Sequence, residues 1–520
     1  MSKKPSVLII GGGPAGLTAA HELLKAGNHP IVLEQSQRVG GIARTEVYKG
    51  YRFDIGGHRF YSKVDEVNKL WHEVLGADFL KKPRLSRIYY NQRYFHYPLK
   101  FLNTLKSLGI FESFRVLVSY LLAKSWPSEE ETLEQWVTNR FGRRLYETFF
   151  ESYTEKVWGI PCNEIRAEWA AQRIKGLSLK SALMSALFSG NQNTKTLINE
   201  FHYPVLGPGM MWEAFQSKIE QQGGQVLLGT RVVGLVREGN RIKRVIAQQG
   251  NDTIEFPVSD VISSMPISTL IKQLSPRAPL KVLEAAGSLK YRAFVLVGLI
   301  VKRSKVFPDN WIYIHEPDVK VGRIQNFKNW SPEMVPDLSK TSLGMEYFCD
   351  ATASDEIWSR SDEELIALAT QEVAQLGLVP SDEVLDACVV RQPKAYPVYD
   401  AEYRQHLSVI QTHLTSIRNL QTIGRNGMHR YNNQDHSMLT GLLAARNVLG
   451  ESHDLWQVNT ERSYYEEFTV NEANKSSLPS SRPRIPVSGR RTQRKQPAFS
   501  SQLAPRRVPS RVPVPVSGVE

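Results

Sequence analysis

The 520-residue sequence predicts an α/β fold, and three observations lead to that prediction. Residues 6–16 read SVLIIGGGPAG, an apolar run that enters a glycine turn and continues into the helical stretch LTAAHELLKAG. Residues 230–245 read as a β-hairpin, and residues 260–266, DVISSMP, as a further strand. Residues 98–190 have the apolar periodicity of successive helices. We therefore predict an α/β chain with a Rossmann-like domain at its amino terminus and a helical segment further along.

The first element is a strand, tight turn and helix with the GxGxxG spacing. Gly11 permits the turn, Gly13 lets the backbone approach a pyrophosphate, and Gly16 lets the helix pack on the strand. Pro14 and Ala15 lie between them, where the helix begins and its amino terminus can hold an anion. The turn therefore predicts a dinucleotide site.

A second strand, PIVLEQ, ends in Glu34 and Gln35, about eighteen residues past Gly16. An acidic residue at this distance is placed to accept hydrogen bonds from a ribose. The combination of two strands, the glycine turn and the acid is much more specific than the glycines alone.

The sequence that follows distinguishes FAD from NAD. Arg38, Gly40 and Gly41 form an RxGG arrangement, and a second glycine pair follows at Gly56 and Gly57. This pattern resembles the flavoprotein superfamily that includes amine oxidases, protoporphyrinogen oxidase, phytoene desaturases and UDP-galactopyranose mutases. The resemblance implies FAD, with the RxGG loop along its diphosphate and the second pair beside the flavin.

The resemblance continues downstream. Val232 and Val233 match the strand that meets the adenine end, and residues 260–266 match the strand that returns to the nucleotide domain. Residues 423–450, which include Gly424 and Met438, resemble the glycine turn and helix that close over the flavin. The resemblance implies a Rossmann-like FAD-binding domain assembled from separate segments, with a helical insertion and a mixed substrate sheet.

One stretch, FFESYTEKVWG at residues 149–159, has two interpretations. Its apolar spacing alone favours core packing at the end of an amphipathic helix. In residue types and spacing, however, it resembles the uridine-binding segment of bacterial UDP-galactopyranose mutases. That resemblance implies that four side chains line a uridine pocket: Phe149, Tyr153, Thr154 and Trp158. It also implies that Arg173 is the mobile-loop arginine that reaches the diphosphate.

A second segment, GRNGMHRYNNQDHS, also resembles the mutases. The resemblance implies that Arg425 contacts the substrate diphosphate, that Tyr431 hydrogen-bonds it, and that Asp435 lies close to the flavin. It places His58 near the flavin N5 and Arg292 on a strand that positions flavin or substrate.

The sequence also departs from the mutase pattern. Val321 or Gly322 stands where mutases have a tyrosine ahead of an Arg-Ile pair, and Asn433 stands where bacterial enzymes have an acid. Tyr396 and Tyr399 can replace the missing tyrosine, although a strand and turn explain that segment equally well.

Two functions follow from the resemblance. The first is a flavin-dependent mutase that interconverts UDP-galactopyranose and UDP-galactofuranose-like nucleotide sugars through an adduct to N5 of reduced FAD, with an external reductant such as NAD(P)H. Its predicted catalytic residues are His58, Arg173, Arg425 and Tyr431. The alternative is an FAD-dependent oxidase or desaturase.

Charge and cysteine content limit the other classes. The net charge is +13, but residues 471–520 carry ten lysines or arginines against two glutamates, so the excess lies mostly in a Pro/Ser/Arg-rich tail. We expect that tail to be disordered and able to contact an acidic surface, and we expect no nucleic acid partner. Three scattered cysteines match no metal or disulfide pattern. We expect a cytoplasmic protein, either free or peripheral to a membrane. The sequence leaves the oligomeric state open.

The predicted domain boundaries follow the motifs in chain order. They are 1–97 (FAD-binding, first segment), 98–204 (helical insertion), 205–275 (FAD-binding, second segment), 276–414 (substrate sheet), 415–470 (FAD-binding, third segment) and 471–520 (tail).

Overall fold

A computed structural model describes residues 6–97, 108–167, 196–197, 200–460 and 467–468. Arg173 and the basic tail, two subjects of the sequence predictions, lie outside the described residues. The described strands are β1 (Ser6–Ile10), β2 (Ile31–Leu33), β3 (Thr45–Tyr48), β4 (Tyr51–Asp54), β5 (Phe79–Pro83), β6 (Ser86–Tyr90), β7 (Arg93–His96), β8 (Thr196–Leu197), β9 (Glu200–Pro204), β10 (Gln225–Leu227), β11 (Thr230–Glu238), β12 (Arg241–Gln249), β13 (Asp252–Ser263), β14 (Leu274–Ser275), β15 (Tyr291–Val301), β16 (Trp311–Ile314), β17 (Arg323–Asn326), β18 (Thr341–Cys349), β19 (Val384–Pro397), β20 (Leu420–Thr422) and β21 (Glu467–Phe468). The described α-helices are α1 (Pro14–Lys25), α2 (Asp65–Leu75), α3 (Ile110–Ser125), α4 (Leu133–Phe141), α5 (Arg143–Tyr146), α6 (Ser152–Trp158), α7 (Gly209–Gln221), α8 (Ile267–Lys272), α9 (Leu280–Ser288), α10 (Phe327–Trp330), α11 (Asp362–Gln375), α12 (Tyr403–Leu414), α13 (Gly424–Gly427) and α14 (Gln434–Val448).

The first large sheet carries the glycine turn. Its strand order is β10-β2-β1-β13-β12-β11-β14, and β20 pairs with β13. The strands around the turn are parallel, with Ile9 opposite Ile262 and Val32, whereas β11 and β12 form the antiparallel hairpin that the sequence predicts. Strands from three distant parts of the chain thus share one sheet, which is the assembly from separate segments predicted above; the exact domain boundaries stay predictions.

The second large sheet has the order β19-β15-β18-β17-β16-β6-β7. It is mixed, because β16 pairs with β6 in parallel while its other ladders are antiparallel. Strand β15, next to the edge strand β19, is buried at ten of its eleven positions, and its apolar side chains pack on both faces of the sheet. The overall α/β class with a mixed second sheet is therefore confirmed.

The helical insertion places the aromatic stretch at residues 149–159. The N-cap of α4 is Thr132, which forms a capping box with Gln135, as its sequence predicts. The stretch ends a helical segment, as its apolar spacing predicts, but a π-helical turn, Glu147–Glu151, separates α5 from α6. A π-turn inserts an extra residue and so rotates the side chains that follow. Phe149 and Tyr153 nevertheless lie on the same side, because both rings contact His315, with ring centres 6.4 and 4.8 Å away.

In the described part of the chain, no helix has the length and apolar content needed to cross a membrane.

Candidate active site

The glycine turn is built by contacts that only glycine allows. Gly11 has a positive φ of 101°, and a Cβ there would lie 2.2 Å from Ser264 Oγ. A Cβ on Gly16 would lie 1.9 Å from the Gly11 carbonyl oxygen, so helix α1 sits directly against the turn. Pro14 and Ala15 begin that helix, as predicted.

The RxGG loop lies against this turn. The Gly40 N–H donates to the Gly12 carbonyl at 2.8 Å, and a Cβ on Gly13 would stand 3.7 Å from Gly41 Cα. Arg38 is exposed beside this contact. Two glycine-rich segments thus expose backbone to the same space at the amino terminus of α1, and such a space fits an FAD pyrophosphate.

The acid at the end of β2 lies beside the turn. Glu34 is buried and accepts hydrogen bonds from Gly12 N at 2.7 Å, Ser36 N at 2.9 Å and Ser36 Oγ at 2.7 Å. A carboxylate has about four lone-pair positions, so one acceptor position remains for a ribose hydroxyl. Gln35, the next residue, is exposed.

The predicted adenine strand contains a bulge. Val232 is buried opposite Ala247, and the register with β12 shifts between Val232 and Gly234. Val233 therefore falls in the bulge and is exposed.

The second glycine pair holds His58. Gly56 has a positive φ of 90°, and its carbonyl lies 3.1 Å from His58 Nδ1. Burial lowers the pKa of His58 to about 3, and the positive charges of Arg425 and then Arg323 act in the same direction. His58 is thus a neutral imidazole that faces two guanidinium groups.

Arg425 lies in the short helix α13, and its guanidinium contacts the rings of two tyrosines. Its Cζ lies 4.7 Å from the ring centre of Tyr431 and 5.5 Å from that of Tyr396, and these rings stack at 5.7 Å with 13° between their planes. Its Nε donates to the Asn432 carbonyl at 3.0 Å and its Nη1 to the Ala395 carbonyl at 3.2 Å. An arginine has five N–H donors, so three remain for a ligand.

Three further predicted cofactor residues belong to the same chain segment as Arg425. Gly424 has a positive φ of 75°, and a Cβ there would be 3.1 Å from Ala15 Cβ. Asp435 is buried and accepts from Ser62 Oγ at 3.0 Å, and burial raises its pKa to about 7. Met438 lies in the core, where its sulfur accepts from Trp71 Nε1 at 3.1 Å.

The aromatic stretch divides between the core and the space bordered by Tyr153, Arg323, Tyr396 and Arg425, which we call the cleft. Tyr153 is half-buried and stacks on His315, with 4.8 Å between ring centres and 3° between planes. Phe149 is 3% exposed and packs edge-on against Phe95, so its placement agrees with core packing. Thr154 and Trp158 are also buried. Their proposed roles in uridine binding stay predictions.

Arg292 is used inside the protein. It is buried on β15, opposite Tyr396 in the register. Its guanidinium donates to the carbonyls of Val157 and Lys156 at 3.2 and 3.4 Å and pairs with Asp350 at 2.7 Å. In this structure, Arg292 therefore holds the end of α6 against the sheet, and its contact with a substrate stays a prediction.

Sequence reasoning missed the charges beneath the cleft. Arg323 belongs to the stretch KVGRIQNF, where the sequence departs from the mutase pattern. It contacts Glu346 through Nε, and Glu346 also accepts from Gln325 Nε2 at 2.9 Å. The Arg-Ile pair itself was the signal that could have indicated this charged residue, but it was used only to locate the missing tyrosine ahead of it. Val321, at that position, is buried in the core.

A second missed cation lies on the aromatic side of the second sheet. The Arg84 guanidinium lies 5.6 Å from the Tyr97 ring centre and 5.5 Å from the Trp311 ring. Its Nε and Nη2 are buried and have no hydrogen-bond partner among the described residues. Tyr97 in turn contacts Tyr313, which packs edge-on against Tyr153.

The fold and this arrangement define an FAD-dependent enzyme. The sequence profile described as flavin containing amine oxidoreductase matches residues 14–449. This chain belongs to that family, which confirms FAD as the cofactor.

Curated relatives and solved structures agree with that family. The chain is 25% identical over 417 residues to coproporphyrinogen III oxidase of Mycobacterium leprae (strain TN), covering 76% of this chain and 88% of that protein. It resembles the structure of reduced UDP-galactopyranose mutase with a TM-score of 0.76 and 21% identity, over 88% of this chain and 98% of the other. A putative protoporphyrinogen oxidase from Exiguobacterium sp. 255-15 gives a TM-score of 0.64 and 16% identity, over 86% and 99%. At these identities the two structures establish the fold alone.

Proposed function

We propose that this enzyme is a flavin-dependent mutase acting on a nucleotide sugar, of the UDP-galactopyranose/UDP-galactofuranose type. The observation that carries the proposal is the cluster of Arg425, Tyr396 and Tyr431 beside His58. A guanidinium with free donors, flanked by two tyrosines, fits a diphosphate better than an apolar substrate.

The residues of the cluster have separable roles in this proposal. Arg425 binds the diphosphate and holds it after the bond to the sugar breaks, and the hydroxyls of Tyr396 and Tyr431 hydrogen-bond its oxygens. His58, being neutral, adds no charge against the nearby guanidinium groups. Tyr396 also supplies the hydroxyl that the mutase pattern expects at the position of Val321.

The nucleotide end is proposed to lie along the aromatic stretch. Tyr153 and His315 stack in parallel and form a flat surface for a uracil ring. Arg84, whose buried donors are unsatisfied, supplies a further cation on that side.

FAD, when bound in its reduced form, supplies the electron-rich nitrogen that the anomeric carbon of the sugar requires. That state needs an external reductant, for which we propose NAD(P)H. The chain holds the diphosphate in the site, so that the rearranged sugar recombines with it.

An oxidase or desaturase is the second candidate, and two observations favour it. The relative with the longest match described above is an oxidase, and the Arg292 guanidinium is already occupied by protein groups. In that case the cleft takes an apolar or porphyrin-like substrate and the flavin is oxidised by an acceptor.

The test is Arg425→Lys, because lysine keeps the charge but loses the bidentate fork. We expect the variant to retain yellow FAD and its melting temperature. UDP affinity should fall, and conversion of UDP-galactofuranose by dithionite-reduced enzyme should fall by about two to three orders of magnitude.

Arg430→Lys is the matched control. Arg430 lies in the same loop, but its Nη1 donates to the carbonyls of Trp456 and Val458 at 2.6 and 2.7 Å. A loss of UDP affinity or of conversion that both variants share would come from disturbing the loop, not from losing a contact with the diphosphate. Unchanged UDP binding in flavin-replete Arg425→Lys protein would remove the diphosphate clamp and the nucleotide-sugar proposal with it.

A further inference from the structure

One row of buried side chains across the second sheet has polar atoms without partners. In the register, Trp311 of β16 lies opposite Ser86 of β6 on one side and Gln325 of β17 on the other. Register partners point to the same face of a sheet, and all three side chains are at most 5% exposed. Ser86 Oγ, Trp311 Nε1 and Gln325 Oε1 have no hydrogen-bond partner among the residues that the structure describes. We call these three side chains the Trp311 row.

Arg84 lies beside this row, two residues before Ser86 in the chain. Its guanidinium carbon lies 5.5 Å from the Trp311 ring centre, and its buried Nε and Nη2 are the unsatisfied donors described above. Arg59 brings a second guanidinium carbon to 5.4 Å from the same ring. Buried polar groups in folded proteins almost always have partners, so a cluster of unsatisfied ones indicates a ligand.

The Trp311 row lies at one end of the aromatic surface of the second sheet. Side chains two residues apart on a strand point to one face, so Trp311, Tyr313 and His315 follow one another along that face. The ring centres of Trp311 and Tyr313 are 6.3 Å apart, and Tyr313 packs edge-on against Tyr153. Four residues, or about 13 Å along the strand, separate Trp311 from His315. The row is therefore well separated from the flat surface of Tyr153 and His315.

The second glycine pair joins the Trp311 row to the candidate active site. A Cβ on Gly57 would lie 2.9 Å from Gln325 Nε2. His58 follows directly, and its imidazole faces the guanidinium groups of Arg323 and Arg425. With a uracil ring on the flat surface at the other end, the sugar of a nucleotide sugar is the part that comes nearest to the row.

The unsatisfied atoms define the chemistry of a ligand. Trp311 Nε1 and the two Arg84 nitrogens can only donate hydrogen bonds, and the Ser86 hydroxyl can donate as well. Gln325 Oε1 is the one atom of the set that can only accept. The set thus fits a negatively charged group with two acceptor oxygens beside a hydroxyl. A planar carboxylate matches the fork of an arginine in this way.

We propose that Arg84 and the Trp311 row bind a carboxylate on the sugar of the substrate. The preferred substrate is then a nucleotide-linked hexuronate, such as UDP-galacturonate, and not a neutral hexose. A sugar hydroxyl beside the carboxylate donates to Gln325 Oε1. This inference rests on the nucleotide-sugar function proposed above and names the class of sugar.

The test compares UDP-galacturonate with UDP-galactose in calorimetric titrations of the full-length, FAD-loaded protein. We expect UDP-galacturonate to bind at least about ten-fold more tightly, because the neutral sugar lacks the charge-assisted contact. Arg84→Gln should abolish this preference and leave the affinity for UDP unchanged. Ser86→Ala removes a hydroxyl that the described residues leave unpaired, and it should reduce the preference by about three-fold.

Lys81→Gln is the matched control. Lys81 lies three residues before Arg84 and pairs with the exposed Glu200 at 2.5 Å, so the variant loses the same charge from the neighbouring strand. It should keep the preference, and an equal loss in both variants would show long-range attraction and overturn the carboxylate site. Flavin absorbance and melting temperature report the fold. Loss of flavin from Arg84→Gln and Ser86→Ala alike would assign the row to FAD and overturn the proposal; if only Arg84→Gln loses flavin, the preference of Ser86→Ala decides.

The outcomes separate this inference from the function on which it rests. Equal affinity for the two nucleotide sugars overturns the carboxylate site and leaves the nucleotide-sugar function standing. If UDP does not bind, the nucleotide-sugar function fails, and titration with free galacturonate and galactose at millimolar concentration decides the site. Galacturonate binding that Arg84→Gln abolishes supports the carboxylate site, whereas no difference between the two free sugars overturns it.

Discussion

The Arg323–Glu346 ion pair beneath the cleft gives the sharpest test of the fold around the candidate active site. Glu346 is fully buried and the Arg323 side chain is 17% exposed. The substitution Glu346→Gln keeps the shape of the side chain and removes its charge. Its amide then turns a donor toward Arg323 Nε, and the guanidinium loses its counter-charge.

The expected cost follows from this burial. Removing one partner of a buried pair typically costs about 3–5 kcal/mol, because the remaining charge is left uncompensated. The partial exposure of Arg323 places the expectation near the lower end, at about 3 kcal/mol. The Gln325 amide, which donates to Glu346 at 2.9 Å, keeps an acceptor in the variant.

Urea unfolding of the FAD-loaded protein measures this loss in the free energy of unfolding. Glu255→Gln is the control, since its pair with Arg244 is half-exposed on both sides and should be worth less than about 1 kcal/mol. The double variant Arg323→Met/Glu346→Leu should recover much of the loss, because neither charge remains buried. If Glu346→Gln costs no more than Glu255→Gln, the pair is not buried as described and the reasoning is refuted.

Three other predictions concern the dinucleotide turn, the buried acid of β4 and the histidine of the cleft. Gly16→Ala puts a Cβ 1.9 Å from a carbonyl oxygen, so we expect loss of bound flavin by absorbance, whereas Gly287→Ala, with open space around it, should retain flavin. Burial raises the pKa of Asp54 from 3.8 to about 7, so the folded state holds its proton more tightly than the unfolded state. Its contribution to stability is complete below pH 4 and is lost as pH rises to 7, by at most about 4 kcal/mol; Asp54→Asn should reduce the slope of the unfolding free energy across that window, where Asp435 also contributes, and an unchanged slope contradicts the shift. The His58 ring should stay neutral from pH 5 to 8 in nitrogen NMR spectra, and a midpoint near 6 would show that the two arginines do not face it.

The residues near the amino terminus illustrate how far sequence alone reaches. The β1–turn–α1 unit is recognisable from eleven consecutive residues, and Gly16 has a local steric reason to be there, since a Cβ would meet the Gly11 carbonyl oxygen. The FAD assignment followed from that unit and the RxGG loop, and the family comparison confirms it. The hairpin at residues 230–245 was also predictable, because strand alternation and turn residues are local signals, whereas the mixed second sheet was predicted through the family resemblance.

The substrate side of the cleft depends on contacts between distant residues, and there the tertiary structure decides. Phe149 matches a family position, yet its side chain is 3% exposed and packs against Phe95 from the second sheet. Arg292 and Arg323 have the same side chain on neighbouring parts of one sheet, but the first pairs with backbone carbonyls and Asp350 while the second pairs with Glu346. A sequence specifies local backbone preferences through nearby residues, whereas the partner of a buried charge depends on strand register and packing across the whole chain. The sequence by itself therefore determined the nucleotide-binding fold and its cofactor, and only the folded chain decided which charged side chains face the cleft.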